Sequence, residues 1–214
     1  MVLSPSQRLI CEGFSLRIEV LKTTTGENGC QKHLADQQLN QLLEKVDADL
    51  AAQAHQQGCL CGGKLHRADY DRKPRGGPQW DQRYSFCCAK EGCRRRTTPA
   101  SVRFMGRRIY AGFVVVLISA MIHGIKPERL GTLRQTIGID RRTLERWRQW
   151  WLDTFVRSAF WKEARARFMP LLCERTLPQS LCVAFDVERR DRLLDLLRFL
   201  APITTPTAWK ELAM

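Results

Sequence analysis

The feature that most constrains the fold of this 214-residue chain is a cluster of cysteines in its first half. Five of the nine cysteines fall in two close groups, Cys59-Leu60-Cys61 and Cys87-Cys88 with Cys93. The N-terminal sequence lacks the basic and continuous apolar stretches of a secretory signal, so we expect a cytoplasmic protein. Because thiols stay reduced there, the spacing indicates metal binding, catalysis or burial rather than disulfides.

Two close pairs of cysteines that are distant in sequence can converge on one tetrahedral zinc ion. The expected ligands are Cys59, Cys61, Cys88 and Cys93. Cys87 could replace Cys88, and His55 or His66 could substitute for a thiolate. The spacing departs from the usual C-x-x-C, because the first pair is C-x-C and the second is C-x4-C or C-x5-C. The alternatives are buried free thiols, or a catalytic cysteine with a histidine base.

Residues 58–106 are expected to form a small β module of the zinc-ribbon type. This stretch is rich in cysteine, glycine and proline, and it lacks helical periodicity. The residues between the two cysteine groups could supply the strands of the ribbon. One structural zinc ion would hold together a module that is too small for a large hydrophobic core.

Outside this module the periodicity of apolar residues predicts helices, so the fold class is mainly α. Residues 1–57 contain an amphipathic helix of about 25 residues that ends near Gly58 and serves packing or dimerisation. The apolar residues 109–122 are too few for the roughly 18 to 20 that span a bilayer, so they predict a buried helix and no membrane partner. The C-terminal region, 159–214, predicts two helices, 161–168 and 189–200, with breaks at Pro170 and Pro178.

Residues 107–158 have the outline of a helix-turn-helix domain. Two helices, 127–137 and 141–155, are expected to flank a turn formed by Gly138, Ile139 and Asp140, with Asp140 capping the second helix. The inner faces carry apolar residues at helical spacing: Leu130, Leu133, Ile137, Leu144, Trp147 and Trp151. Arg134 departs from the motif, because the position four residues before the turn glycine is normally small.

The chain has a formal net charge of +13, which excludes an acidic, solvating chain. Residues 64–108 hold 13 Lys and Arg against 4 Asp and Glu, as expected of a surface that meets a polyanion. A solvated basic face is the plainer alternative. The expected phosphate contacts are Arg94, Arg95, Arg96, Arg107 and Arg108. On the outer side of the second helix, the expected base contacts are Arg141, Arg142, Arg146 and Gln149.

These motifs together resemble the zinc-ribbon and helix-turn-helix DNA-binding proteins and modules of bacterial insertion-sequence transposases. The resemblance is carried by CLCGGKL, FCCAKEGCRRRTTP and IGIDRRTLERW, within residues 58–155. It implies binding of double-stranded DNA at element ends or an operator. Strand transfer would need a separate domain with three carboxylates, for which too few residues remain. We therefore expect a non-enzymatic, nucleoid-associated accessory factor or repressor, with a transposase or a second copy of the chain as a possible partner.

Two other functions stay open from the sequence. The chain could be a non-autonomous transposase subunit whose active site a partner completes, with metal ligands Asp186, Asp191 and Asp195. It could instead be a helical adaptor that docks a partner through Leu193, Leu196, Leu197 and Leu200. A stripe of leucines at helical spacing is more often part of a core.

Overall fold

A computed structural model describes residues 36–72, 81–105, 111–120, 127–187, 189–206 and 208. The helices within these residues are α1 (Gln37–Gln57), α2 (Gly112–Ala120), α3 (Pro127–Ile137), α4 (Arg141–Gln149), α5 (Ala159–Ala164), α6 (Gln179–Phe185) and α7 (Arg190–Leu200). A π-helical turn, Trp150–Phe155, continues α4. Single 3-10 turns occupy Arg165–Arg167, Glu174–Thr176 and Ala201–Thr204.

Five short strands make up the β structure of the described residues: β1 (Leu65–Arg67), β2 (Tyr70–Arg72), β3 (Asp81–Arg83), β4 (Phe86–Cys88) and β5 (Arg96–Thr97). All pairings are antiparallel. Strand β4 lies between β1 and β5 in a three-stranded sheet, and β2 pairs with β3 in a separate two-stranded sheet. The expectation of a mainly helical chain with a small β module is confirmed at this level.

The chain divides into two compact units. The first comprises Asp36–Phe113 and Leu197–Lys210 and so contains α1 and all five strands. The second includes Val114–Leu196 and so contains helices α3 to α6. Helix α1 and the cysteine module, which the sequence analysis placed in separate segments, therefore lie in one unit.

Helix α1 is the expected amphipathic helix, and its ends follow from local hydrogen bonding. At its start, the carboxylate of Asp36 accepts a hydrogen bond from the N–H of Leu39 at 3.0 Å. The helix ends at Gly58, which takes a positive φ of 72° that favours glycine. Its buried face includes Leu39, Leu43, Val46 and Ala51. This burial agrees with the packing interpretation of the helix.

Helix α1 also buries a carboxylate, on which the segment before α2 is anchored. Asp47 is 1% exposed, and its Oδ2 accepts hydrogen bonds from Arg103 Nε at 2.9 Å and Ser101 Oγ at 2.5 Å. Its Oδ1 accepts from the N–H of Val102 at 2.7 Å. The N–H of Ser101 in turn donates to Thr204 Oγ1 at 2.9 Å. The ion pair between Asp47 and Arg103, with these hydrogen bonds, joins α1, residues 101–103 and the C-terminal 3-10 turn within the first unit.

Helix α2 is the described part of the predicted apolar helix. Its residues from Phe113 to Ile118 are 0–7% exposed, so the prediction of a buried helix is confirmed over this range. Among the described residues, no helix combines the length and the apolar character that a bilayer span requires.

The C-terminal helices agree with the prediction except at α6. Helix α7 matches the predicted range 189–200, and α5 with its 3-10 turn covers 159–167. Helix α6 was not predicted, because Pro178 was interpreted as a break. Pro178 instead precedes the first residue of α6, where a missing N–H costs nothing because that N–H has no partner within the helix.

The second unit has an aromatic core, which the π-helical turn helps to form. A π turn contains more residues than an α turn, and here Trp150, Trp151 and Phe155 are all buried. The ring of Phe155 lies 4.8 Å from that of Trp151 and 5.1 Å from that of Trp161, measured between centroids. Glu174 accepts a hydrogen bond from Trp161 Nε1 at 2.8 Å. The predicted helix 141–155 is therefore α-helical only to Gln149.

Candidate metal centre and arginine surfaces

The structure brings the four predicted ligands together in the first unit. Their Sγ atoms all lie within 4.8 Å of one another. The Sγ of Cys61 is 3.4 Å from that of Cys59 and 3.5 Å from that of Cys88, and the Sγ atoms of Cys59 and Cys93 are 3.8 Å apart. Within the described ranges, no other group of three or more His, Cys, Asp or Glu is placed to share a metal ion. These four thiols could hold one metal ion.

Two tight turns carry three of the four clustered cysteines: Cys59 and Cys61 lie in the first turn and Cys93 in the second, whereas Cys88 ends strand β4. In the first turn, the N–H of Gly62 donates to the carbonyl of Cys59 at 2.8 Å. In the second, the N–H of Cys93 donates to the carbonyl of Lys90 at 3.1 Å. Gly62 and Gly92 have φ values of 75° and 80°, which residues with a side chain rarely adopt. These two glycines therefore allow the chain to turn tightly around the cluster.

Position 63 requires glycine because there is no space for a side chain. A Cβ at this position would lie 2.6 Å from Cys88 Sγ and 2.8 Å from Lys90 Cβ. Both distances are shorter than real Cβ contacts, so any side chain at residue 63 would displace a thiol of the cluster.

The thiols perturb one another's protonation. Hydrogen bonding to the Gly63 backbone, and then to the thiols of Cys93, Cys59 and Cys88, lowers the pKa of Cys61 to about 6. The N–H of Lys90, 3.4 Å from Cys88 Sγ, favours the thiolate of Cys88, but burial and the neighbouring thiols outweigh it and raise that pKa to about 12. Cys61 thus favours the thiolate more than an isolated cysteine does, whereas Cys88 favours the thiol. Metal ligation would require all four cysteines as thiolates.

The three alternative ligands lie outside the cluster. Cys87 pairs with His66 and with Arg96 across the strands, and its Sγ lies 3.6 Å from the carbonyl of Arg94. Adjacent residues of a strand point to opposite faces, so Cys87 and Cys88 cannot both face the cluster. His55 donates from Nε2 to the carbonyl of Leu65 at 3.0 Å, and its ring packs on Phe86. The structure therefore places Cys88, and not Cys87, among the four clustered thiols.

The arginine run that follows Cys93 is exposed and fixed through its backbone. The carbonyl of Arg95 accepts from the N–H of Cys88 at 3.0 Å, and the N–H of Arg94 donates to the carbonyl of Lys90 at 3.4 Å. Among the described residues, no carboxylate forms an ion pair with Arg94, Arg95 or Arg96. The predicted contacts Arg107 and Arg108 lie outside the described residues.

The predicted turn between α3 and α4 is present in the second unit. Gly138 has a φ of 69°, and its N–H donates to the carbonyl of Arg134 at 3.0 Å. Ile139 is fully buried. Asp140 Oδ1 accepts from the N–H of Thr143 at 2.6 Å, so the predicted cap is confirmed. The Thr143 N–H and hydroxyl, with a smaller contribution from nearby arginines, lower the pKa of Asp140.

The two faces of α4 differ as predicted. Leu144 and Trp147, and Trp151 in the following turn, are 5%, 3% and 0% exposed. The predicted outer residues are all exposed: Arg141, Arg142, Arg146 and Gln149. Arg141 pairs with Glu145 at 3.0 Å, and Arg146 donates to Thr143 Oγ1 at 3.1 Å. The sequence analysis did not single out Arg148, which is also exposed on this helix and whose charge was the available signal.

The inner face of α3 is less completely buried than that of α4. Ile137 is 6% exposed, whereas Leu130 and Leu133 are half-buried. Arg134, at the position where a small residue was expected, is exposed, so its side chain meets no crowded helix crossing.

Residues proposed for the two alternative functions take part in ion pairs and in core packing. Asp191 pairs with Arg189 at 2.9 Å, and Asp195 pairs with Arg192 at 3.6 Å. The leucine stripe of α7 is 0–3% exposed, so Leu193, Leu196, Leu197 and Leu200 belong to a core. The plainer interpretation of this stripe, packing within the protein, is the one that agrees with the burial.

The first unit thus holds a four-thiol cluster beside a fixed arginine run. The second unit holds a capped, arginine-bearing helix. The chain matches no protein-family model, no curated protein and no solved structure.

Proposed function

We propose that the chain is a zinc-stabilised, sequence-preferring DNA-binding protein. The observation that carries this proposal is the contrast between the two sides of α4. Leu144 and Trp147 are buried, while four arginines and Gln149 are exposed on the same helix. In helix-turn-helix proteins the second helix enters the major groove, where arginine donates two hydrogen bonds to guanine. Arg141, Arg142, Arg146 and Gln149 are the proposed base contacts.

Zinc is the metal that suits the cluster best. A tetrahedron with Zn–S bonds of about 2.3 Å has edges of about 3.8 Å between sulfur atoms. The neighbouring Sγ atoms are 3.4 to 3.8 Å apart, close to that edge. Four thiolates also fill the coordination shell, which is typical of a structural rather than a catalytic zinc ion.

The arginine run supplies the proposed phosphate contacts. Arg94 to Arg96 have exposed side chains, and their backbone is hydrogen-bonded to Cys88 and Lys90 of the second cysteine segment. Contacts of this kind fix a protein on DNA without recognising sequence. From the sequence alone, Arg107 and Arg108 are included in the same proposal.

The narrower role rests on the resemblance of residues 58–155 described above. On that basis we propose that the protein acts without an enzymatic activity of its own, at the nucleoid in the cytoplasm, as a transposition accessory factor or repressor. A transposase or a second copy of the chain would be its protein partner.

The test is selection of preferred duplexes from a random pool, followed by binding titrations at several salt concentrations. We expect affinity to fall linearly with salt on a logarithmic plot, because bound phosphates release counterions. Arg142→Ala should relax the sequence preference at one position, whereas Arg95→Ala should weaken all duplexes alike and reduce the salt slope by about 1. The matched control is Arg175→Ala, which removes an exposed arginine of the turn Glu174–Thr176. Affinity independent of salt, or identical behaviour of Arg142→Ala and Arg175→Ala, would contradict the proposal.

A further inference from the structure

An exposed aromatic ring lies under the last arginine of the run. Tyr70 on β2 is 36% exposed, one of the few large apolar or aromatic side chains so exposed within the described residues. The Cζ atom of Arg96, on β5, lies over this ring at 5.7 Å from its centroid. The guanidinium is therefore oriented by a cation–π contact.

Arg96 differs from Arg67, an exposed arginine that also lies over an aromatic ring, in having no carboxylate partner among the described residues. Arg67, Arg157 and Arg189 each pair with a carboxylate two or four residues away in the sequence. Within the described part of the chain, no carboxylate forms an ion pair with Arg96. The guanidinium of Arg96 is planar, positively charged and oriented by the Tyr70 ring. Such a group suits a ligand that is both flat and part of a polyanion.

The strand register places Arg96 on the outer face of the three-stranded sheet, and the ring of Tyr70 lies under its guanidinium. Arg96 is the cross-strand partner of Cys87, whereas Phe86 and Cys88, on the other face of β4, are buried. Strand β5 is an edge strand, since it pairs only with β4 within the described residues. Arg94 and Arg95 immediately precede this strand and are exposed. Two arginines that could contact phosphates, Arg94 and Arg95, thus precede the strand whose Arg96 offers a flat surface on which a base could stack.

We infer that Tyr70 and Arg96 form a stacking site for an unpaired base, so that the cysteine module binds single-stranded nucleic acid. Bases stack on aromatic rings and on arginine planes in such complexes, while nearby cations contact the phosphates. In a duplex the faces of the bases are covered by their neighbours, so the base has to be unpaired. The inference shares with the proposed function the arginine run as a nucleic-acid contact, but it does not depend on α4.

The test compares two probes of equal charge by fluorescence anisotropy: an oligothymidine and an abasic oligonucleotide of the same length. Because stacking contributes about 1 to 3 kcal/mol per base, the protein should bind the oligothymidine at least about fivefold more tightly. Arg96→Lys keeps the charge but removes the plane, and Tyr70→Ala removes the ring, so both should abolish this preference. Tyr70→Phe should retain it.

The matched control is Arg95→Lys, which makes the same change one residue away and should leave the preference unchanged. Metal content and the far-ultraviolet circular dichroism spectrum of each variant show that the module is folded; if Tyr70→Ala fails this check, Arg96→Lys decides. Equal affinity of the wild type for both probes, or a preference in Arg96→Lys equal to that in Arg95→Lys, would overturn the inference. Arg142→Ala separates the two proposals, because it should weaken duplex binding and leave the oligothymidine preference intact.

Discussion

At the scale of single residues, the cluster is most sensitive where its packing leaves no free volume. Gly63→Ala would place a methyl group 2.6 Å from Cys88 Sγ. We expect this variant to lose most of its bound metal, because the thiol has to move out of the tetrahedral arrangement. The measurement is zinc content by mass spectrometry on protein purified without chelator, with Cys61→Ser as the reference for loss of a ligand.

Gly131→Ala is the matched control for that prediction. Gly131 lies in α3, is exposed, and has nothing within 4 Å of an added Cβ. Alanine there should leave the zinc content unchanged and favour the helix by about 1 kcal/mol. Full metal content in Gly63→Ala would show that the cluster tolerates a side chain, against the geometry.

A second residue-scale prediction concerns the buried ion pair of α1. Asp47→Asn leaves the guanidinium of Arg103 buried without its counter-charge, since both side chains are at most 7% exposed. Removing one partner of a buried pair costs about 3 to 5 kcal/mol. Urea unfolding should show a loss of this size, whereas the exposed Asp49→Asn should change stability by no more than about 0.5 kcal/mol. Equal stability of the two variants would contradict the role given to the pair.

These residues also show how far the sequence reaches. Cysteine spacing was sufficient to predict the four clustered thiols, because two close pairs of cysteines in one chain are typical of metal ligands. It could not choose between Cys87 and Cys88, because that choice depends on which face of β4 each residue occupies. Asp47 was missed for a related reason: a carboxylate is normally exposed, and its partner Arg103 is distant in the sequence.

At the scale of elements, local signals decided which predictions succeeded. The turn between α3 and α4 follows from a glycine with positive φ and a capping aspartate, both of which are visible in the sequence. Helix α6 was missed because proline both ends and begins helices. The π-helical turn was missed because apolar spacing alone does not distinguish it from an α-helix. Within the π-helical turn, the rings of Trp151 and Phe155 pack on each other.

The cap of α4 gives a prediction about pH. Hydrogen bonding from Thr143 lowers the pKa of Asp140 in the folded state below its unfolded value. The stabilisation is therefore complete above the unfolded pKa, about 3.9, and is lost as the pH falls through the folded pKa. Asp140→Asn keeps a side-chain acceptor but does not titrate. The difference in unfolding temperature between wild type and Asp140→Asn should thus shrink from neutral pH to about pH 3. A difference that is constant with pH would contradict this account.

At the scale of the whole molecule, the cluster belongs to the core of only one of the two units. Cys59 and Cys88 are 6% and 1% exposed and pack with Ala51, Leu65 and Phe86 in one hydrophobic cluster. In the second unit, the buried rings of Trp151, Phe155 and Trp161 pack on one another without a metal ligand. Stability that depends on metal should therefore be confined to the first unit.

Hydrogen exchange with and without a chelator tests this division. Removing the metal should speed exchange in the turns that hold the ligands, first at the N–H of Gly62 and Cys93, and then at the N–H of Cys88, which bonds to the arginine run. The amides of α4 should keep their protection, because their hydrogen bonds and the cap of Asp140 do not involve a thiol. Opening of the hydrogen bond at the Cys88 N–H would also free the carbonyl of Arg95. The protein treated with chelator should therefore lose the phosphate contacts of the arginine run while α4 stays folded. Equal acceleration in both units would mean that they unfold together and that the metal stabilises the whole chain.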